Sequence, residues 1–387
     1  MQQCCGGYLL LYNRVLKIDE LLGLKSFFLF GPRATGKSTL IQARLPKAQV
    51  FDLLDRATFR RLLSDPSLIG QSGGKGPIVI DEIQKIPTLL DEVHRQIEKH
   101  HRTFLLTGSS ARKLRRGAAN LLGGRAWTAE LMPLSYTEIS DFELHRYLTR
   151  GGLPLAYQSD HWFEELDAYI GNYLQDEILA ESLTRNIEAF SEFLTIAAKS
   201  NGQEVNLQSF ASDCGVSQNT IKNYFQILTD TLIGFSLPAY TKSTRRKAIT
   251  REKYYLFDVG VRNRLCDVAS VSPKTDSFGL AFEHFIVMEL RAYNSYFRRK
   301  LKLQYWRSTS QFEVDVVIDG KMAIEIKGVG QIMDKHLKGL RALKEEGKFA
   351  SYWVVSCDPD VRETVDGIKI YPWAQFLTEL WAQRLPI

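Results

Sequence analysis

GPRATGKS, Gly31 to Ser38, directly follows the apolar run Phe27-Phe28-Leu29-Phe30. The octapeptide fits G-x-x-x-x-G-K-[ST], a spacing that lets several backbone N–H groups turn inward around a diphosphate. Glycine is required where a Cβ would clash or φ must be positive, and Gly31 and Gly36 stand at those places. Gly31, Pro32, Arg33, Ala34, Thr35 and Gly36 then cradle the phosphates, with Lys37 extended along the β- and γ-phosphates. Ser38, followed by Thr39, places its hydroxyl on Mg²⁺ at the start of a helix whose dipole also favours the anion. An apolar strand before the motif and a helical start after it supply the context the motif needs.

Such a cradle requires an acidic partner for the metal at the end of a buried parallel strand, which reads as a continuous apolar run. Pro77-Ile78-Val79-Ile80-Asp81-Glu82 has that form. Asp81 is placed to hold Mg²⁺ through water, and Glu82 to polarise the attacking water, so hydrolysis rather than binding alone is implied. A third strand, Thr103 to Thr107, runs into Gly108-Ser109-Ser110; Ser109 is the favoured reader of the γ-phosphate or lytic water, with Thr107 and Ser110 as alternatives. A helical segment from Ala111 to Leu122 follows, then Gly123-Gly124-Arg125-Ala126 and a strand from Trp127 to Leu131. Arg125 reads either as an arginine finger projecting into a neighbouring subunit's site or as an ordinary surface arginine.

The stretches GPRATGKSTL, PIVIDEIQKIP, FLLTGSSARKLRRGAANLLGGRA and MPLSYTEI resemble the AAA-type ATPase core of a large prokaryotic family that carries a restriction-endonuclease-like domain at its C-terminus. The resemblance covers nearly the whole chain. It implies an α/β protein with a P-loop AAA-type core and parallel sheet in residues 1–150. A helical lid and winged-helix domain would occupy 151–260, and an α/β PD-(D/E)XK nuclease-like domain 261–387. ATP and Mg²⁺ are the implied ligands, and a homo-oligomer, a hexamer, another ring or a dimer, is the implied assembly.

Composition agrees with several domains: 387 residues exceed one comfortable core. A net charge of +6 leans towards polyanions without proving one. Basic clusters occur at Arg112-Lys113 with Arg115-Arg116, at Lys242 through Lys253, and at Arg298 through Arg307. The last two are interleaved with Tyr240, Tyr254, Tyr255, Phe297, Tyr305 and Trp306, a mixture suited to phosphate contact and base stacking, so DNA is the leading partner. Each cluster by itself also reads as a solvated face. Five cysteines without C-x-x-C spacing suggest a reducing, cytoplasmic setting, and nothing approaches a membrane span.

Past the breaker cluster Gly151-Gly152-Leu153-Pro154 the pattern is helical to about Ala198. Leu207, Phe210 and Ala211 share a helical face, Gly215 makes a turn, and Ser217 caps a second helix carrying Ile221, Phe225 and Leu228. That is helix-turn-helix spacing, and Gly234 to Tyr240 with Lys253 to Asp258 supplies a β-wing. Gln218, Asn219, Lys222 and Asn223 would read DNA, or the module docks protein instead.

The C-terminal third contains Glu313 to Ile318, Asp319-Gly320, and Lys321 to Lys327, a β-hairpin by alternation and turn chemistry. A two-residue loop would set Val314 opposite Glu325. An odd-length loop centred on Gly320 instead pairs Val316 with Ile324 and Ile318 with Met322, bringing Asp315 across from Glu325 and Glu313 across from Lys327. Two carboxylates about 5 Å apart at Cβ can hold Mg²⁺ or Mn²⁺, and Lys327 can orient a bound water for phosphodiester hydrolysis. This is the D…E-x-K signature of PD-(D/E)XK nucleases, with Glu283 matching their supplementary helical glutamate, although no proline precedes Asp315. The same residues also read as charge pairs on a solvated sheet face.

The sequence therefore points to a Mg²⁺-dependent ATPase acting on DNA, branched or recombining DNA included, with a nuclease-like C-terminal site. The alternative is an ATP-driven regulatory switch whose nuclease fold is catalytically silent.

Overall fold

Phe27–Phe30 forms strand β1 because four consecutive apolar residues are covered on both faces, and all four are buried. The computed structural model describes residues 12–71, 76–108, 122–174, 187–243, 245–347 and 349–387. These divide into two units, one built from Met1–Leu134, Leu153–Glu165 and Asp230–Leu232, the other from Ser135–Gly152, Leu166–Thr229 and Ile233–Ile387.

In the first unit, β1 is joined by β2 (Gln49–Asp52), β3 (Ile78–Asp81), β4 (Phe104–Gly108) and β5 (Trp127–Glu130). They form a five-stranded sheet in the order β2-β3-β4-β1-β5. Every neighbouring pair is parallel. The core on one face gathers Phe28, Phe30, Ile78, Ile80, Phe104 and Leu106 with Leu89, Leu90 and Val93 of the helix Leu89–His100. Because β4 lies between β1 and β3, the carboxyl ends of these three strands open on one edge of the sheet.

The second unit holds two further sheets. Helices Leu207–Asp213 and Gln218–Asp230 are joined by a turn in which Gly215 adopts φ +63°. Asn206 caps the first helix through the N–H groups of Gln208 and Ser209, and the Ser217 hydroxyl accepts the Thr220 N–H at 3.1 Å in the second. β6 (Gln203–Glu204), β7 (Gly234–Leu237) and β8 (Lys253–Leu256) follow as an antiparallel sheet in the order β6-β8-β7.

The remaining sheet has β9 (Leu303–Arg307), β10 (Glu313–Ile318), β11 (Met322–Lys327), β12 (Ser351–Ser356), β13 (Arg362–Glu363) and β14 (Ile368–Pro372) in the order β13-β14-β12-β11-β10-β9. β11, β12 and β14 are parallel, with antiparallel strands at both ends. Trp306, Val314, Val317 and Ala323 pack on Leu340 and Leu343 of the helix Lys338–Glu346. A long helix, Asp276–Tyr296, begins at the Thr275 cap and carries Glu283.

That helix also buries Glu289, whose carboxylate accepts the Tyr136 N–H at 2.8 Å and the Trp381 indole N–H at 2.6 Å. Burial pushes its pKa from the ordinary 4.5 to about 8, against those two hydrogen bonds. The folded state then binds a proton more tightly than the unfolded chain, so this contribution to stability is complete below pH 4.5 and is lost as pH rises through about 8. We expect the wild type to lose up to about 1.4 kcal/mol per pH unit relative to Glu289→Gln across that window. Denaturant unfolding of both proteins at several pH values measures the difference.

Among the described residues, no helix is long and apolar enough to cross a membrane.

Candidate functional site

The cradle expected at Gly31 to Ser38 lies at the carboxyl end of β1, and the helix that follows it is Lys37–Arg44. Gly36 precedes that helix with φ +91°, and Ala34 also lies at positive φ, 60°. A Cβ on Gly31 would stand 2.4 Å from the Leu131 carbonyl oxygen, so only glycine allows the loop to pass this closely over the end of β5. Thr35 ties the loop together by donating to the Pro32 carbonyl at 2.9 Å. The Lys37 ammonium is buried and donates to the carbonyls of Gly31 at 2.6 Å and Pro32 at 3.0 Å. Arg33 is half-buried, and Thr39 is exposed beside Ser38.

Asp81 ends β3 on the same edge of the sheet. Its Oδ2 accepts the Ser38 hydroxyl at 3.2 Å, and its Oδ1 accepts the Thr107 hydroxyl. Thr107, fully buried near the end of β4, also accepts the Glu82 N–H at 3.1 Å. Ser38, Asp81, Glu82 and Thr107 are thus one connected group drawn from the ends of two adjacent strands and a helix start. Glu82 sits in the left-handed region at φ 61°, a strained place for a non-glycine residue. The Gln84 amide holds its carboxylate, and a Cβ at Gly108 would stand 2.6 Å from the Gln84 Oε1. Burial raises the Glu82 pKa above its ordinary value; Lys37 opposes the shift and Asp81 reinforces it.

Thr107, an alternative to Ser109 from sequence, is the one of these three candidate hydroxyls among the described residues, and it joins Ser38 at the acidic pair. Ser109 and Ser110 lie outside the described residues, as do the Arg112 to Arg116 cluster and all but the last residue of the expected Ala111 to Leu122 helix. Arg14 was not singled out from sequence, yet its buried guanidinium donates to the carbonyls of Thr35 at 2.8 Å and Met132 at 2.5 Å. A cavity of ≈ 530 Å³ opens beside the loop, lined by Tyr12, Asn13, Arg14, Gly36, Thr39, Leu40, Pro154 and Leu155 among others. Arg125 precedes β5, and Trp127 is level with Phe27 at the amino end of β1, so Arg125 stands at the sheet edge opposite the loop. Its guanidinium pairs with Glu98 in an exposed contact.

In the second unit the hairpin pairs Val316 with Ile324, Val317 with Ala323 and Ile318 with Met322, the register that makes an apolar face coherent. Asp319 and Gly320 both take positive φ, 52° and 65°. The two-residue-loop register is excluded. On the other side of β10, the pairing to β9 shifts between Val314 and Val317. In this register Lys327 shares a face with Asp315 and Glu325, and its ammonium lies 2.6 Å from Glu325 and 3.3 Å from Asp315 rather than on Glu313. Glu313 goes instead to Lys253 at 2.6 Å and Arg307 at 3.6 Å. Asp315 Oδ2 also accepts the Ile326 N–H at 2.7 Å. Glu283 joins this group, 3.3 Å from the Lys253 ammonium and accepting the Tyr255 hydroxyl at 2.6 Å.

These carboxylates are held in low dielectric. Burial, then the charge of Asp315, pushes Glu325 up to about 8 against the pull of Lys327. Burial works against the Lys327 ammonium, but Asp315 and Glu325 outweigh it and raise its pKa. Lys327 therefore supplies positive charge between Asp315 and Glu325, the pair expected to hold a divalent ion, while Lys253 pairs with Glu283 and Glu313. Among the described residues, no three or more His, Cys, Asp or Glu are grouped to hold a metal ion.

The aromatic residues proposed for base stacking need correction. Tyr254, Tyr255, Tyr305 and Trp306 are 4%, 1%, 0% and 0% exposed. They are core residues, turned inward because strands β8 and β9 are covered on the faces these side chains occupy. Arg246 is also engaged internally, with Glu345 at 2.6 Å and Glu346 at 2.9 Å. Lys242, Arg245, Lys247, Arg251, Arg298, Arg299, Lys300 and Lys302 remain exposed. Gln218, Asn219, Lys222 and Asn223 are exposed together on the helix Gln218–Asp230, whose opposite face buries Ile221, Tyr224 and Leu228.

Comparison with known proteins divides the chain in three. Residues 24–140 match a family described as "AAA domain", residues 141–272 a "Domain of unknown function (DUF8612)", and residues 278–376 a "Domain of unknown function (DUF4143)". An uncharacterized protein of Mycobacterium tuberculosis is 26% identical over 303 residues, which span 75% of this chain and 67% of that protein. An uncharacterized protein of Methanocaldococcus jannaschii is 24% identical over 271 residues, 63% of this chain and 58% of that protein. The match over 24–140, joined to the loop, acidic pair and parallel sheet described above, supports a P-loop ATPase of AAA type, which uses ATP with a divalent metal.

Proposed function

We propose that the chain is a Mg²⁺-dependent ATPase that acts on DNA, with hydrolysis coupled to DNA binding or remodelling. The observation that carries the ATPase part is the connected group of Ser38, Asp81, Glu82 and Thr107 beside the Lys37 cradle. Incoming phosphate oxygens replace the Gly31 and Pro32 carbonyls as acceptors for Lys37. Base and ribose occupy the cavity lined by Tyr12, Leu40 and Pro154. Ser38 and Asp81 are the residues that would hold Mg²⁺, which neutralises phosphate charge when bound. Glu82 accepts the proton of the attacking water, and Thr107 fixes both acids in place. Arg125, at the far sheet edge, serves the site of a neighbouring subunit in a homo-oligomer, exchanging Glu98 for a γ-phosphate.

The DNA part rests on the two-helix motif with its β6-β8-β7 sheet, read as a winged helix, and on the exposed row Gln218, Asn219, Lys222 and Asn223. In Lys222→Ala, duplex affinity should fall and the slope of log affinity against log salt should flatten by about 0.9. Fluorescence anisotropy across a salt series measures both, and an unchanged affinity and slope would remove this helix from the DNA interface.

The six-stranded sheet with Asp315, Glu325, Lys327 and Glu283 is read as a PD-(D/E)XK nuclease-like fold. The lysine pairing of its carboxylates favours the second reading, an ATP-driven switch in which that fold does not cut. Incubation of DNA with Mg²⁺ or Mn²⁺, compared with Glu325→Ala, separates the two.

A further inference from the structure

The connection between β7 and β8, from Leu237 to Lys253, carries Lys242, Arg245, Arg246, Lys247 and Arg251. Long connections of this kind are disproportionately functional. Its two arms are laced to β9 and the residues that follow that strand. The Tyr240 N–H donates to the Tyr305 carbonyl at 2.6 Å, the Ile249 N–H to the Arg307 carbonyl at 2.8 Å, and the Thr309 N–H to the Lys247 carbonyl at 2.9 Å. Ala248 also bridges antiparallel to Ser308.

The tip is held from a second side. Glu346, the last residue of the helix Lys338–Glu346 and buried, accepts through one oxygen the N–H groups of Arg245 at 2.6 Å and Arg246 at 3.1 Å. Its other oxygen accepts the Arg246 guanidinium at 2.9 Å. The same guanidinium donates to the Ala342 carbonyl at 3.1 Å and lies over the Phe312 ring. The Ser243 hydroxyl closes the turn by donating to the Arg246 carbonyl at 2.8 Å. A solvated basic face needs no anchor of this kind, and burying the Glu346 carboxylate carries a desolvation cost that only its partners offset. Arg246 is committed to that anchor, while Lys242, Arg245, Lys247 and Arg251 stand exposed around it.

Cations presented from a fixed backbone lose less freedom on meeting a polyanion than cations on a loose loop. Among the described residues, no large apolar side chain between Leu237 and Lys253 is exposed, so the loop has nothing to insert into a lipid surface. Lysine and arginine held in this way suit the phosphates of a nucleic-acid backbone.

We propose that Lys242, Arg245 and Lys247 form a phosphate-contacting loop for duplex DNA and that Glu346 is its positioning residue. The helix Lys338–Glu346 and the six-stranded sheet then serve DNA binding as a scaffold, whether or not that fold cuts. The proposal rests on the DNA reading above and is independent of ATP hydrolysis.

The test uses the full chain without nucleotide and follows the anisotropy of labelled duplex DNA across a salt series. Combined Lys242→Ala, Arg245→Ala and Lys247→Ala should flatten the slope of log affinity against log salt by about 0.9 per contact, about 2.7 for all three. Glu346→Gln removes a negative charge, so net charge alone would tighten binding. An amide, however, has a single accepting oxygen and cannot hold both sets of donors, so affinity should instead fall at least about tenfold. Added to the triple variant, Glu346→Gln should change nothing further, because it acts through the same side chains. Acetylation of the wild type needs no variant: duplex DNA should shield Lys242 and Lys247. If Glu346→Gln does not melt as the wild type does, the triple variant and the acetylation pattern decide. A wild-type slope in the triple variant would overturn the proposal, as would undiminished affinity in folded Glu346→Gln. Bound duplex that leaves both lysines reactive, or anionic vesicles that shield them where duplex does not, would overturn it too. Wild-type protein that binds no duplex at all would contradict the DNA reading and this proposal with it.

Discussion

In Lys37→Ala, ATP turnover falls by about 10²–10³-fold, the cost of removing one preorganised group from a developing charge. The ammonium is buried and already oriented by the Gly31 and Pro32 carbonyls, so little reorganisation precedes its contact with phosphate. Its removal also leaves those two carbonyls without their donor, and charge-assisted bonds of this kind are worth about 1.5–3 kcal/mol each. Nucleotide affinity should therefore fall together with turnover. A phosphate-release assay and a nucleotide-binding titration on the same preparation distinguish the two losses, and wild-type turnover in the variant would remove Lys37 from the chemistry.

Glu82→Gln should behave differently: nucleotide still binds, while turnover falls by about 10²–10⁴-fold, the range for loss of a general base. The amide preserves size and retains a carbonyl for Gln84 but cannot take a proton. pH adds an independent signature. Burial raises the Glu82 pKa above its ordinary value, so its basic form is lost as pH falls sooner than that of an exposed glutamate. Wild-type kcat should decline on the acid side earlier than an exposed glutamate would cause, and the residual rate of Glu82→Gln should lack that limb. Identical pH profiles would mean that another group takes the proton.

Much of the nucleotide site was legible because its parts are contiguous. A strand, a glycine loop and a helix start occupy Phe27 to Arg44 without interruption, and Ile78 to Glu82 is a second unbroken strand-and-acid unit. The β10–β11 pairing could also be derived, since only one register kept Val316, Ile318, Ile324 and Met322 on a common face. What could not be read depends on side chains brought together from distant positions. Arg14 reaches Thr35 and Met132, respectively 21 and 118 residues away, and nothing local marks it. Thr107 and Ser109 differ by two places in sequence, and only the fold shows Thr107 seated on Asp81.

Charge and aromatic content misled for a related reason. Lys253, Arg246 and Arg307 count as surface cations in a sequence window, but each is committed to buried or half-buried carboxylates. Tyr305 and Trp306 stand between Lys302 and Arg307 in sequence, a mixture that suits a stacking platform, yet both fill the core of the second unit. A one-dimensional pattern records which residues alternate; it does not record which face the neighbouring layer covers. The exposed row on the helix Gln218–Asp230 was recoverable because its helical period separates it cleanly from Ile221 and Leu228.

The most direct test of the account is phosphate release by the full chain with ATP and Mg²⁺, titrated with duplex, single-stranded and four-way DNA. Turnover should be cut about 10²–10³-fold by Lys37→Ala and increased by at least one of these DNA forms. Turnover no greater than that of Lys37→Ala would contradict the ATPase itself, and Lys37-dependent turnover indifferent to every DNA would contradict its coupling to DNA.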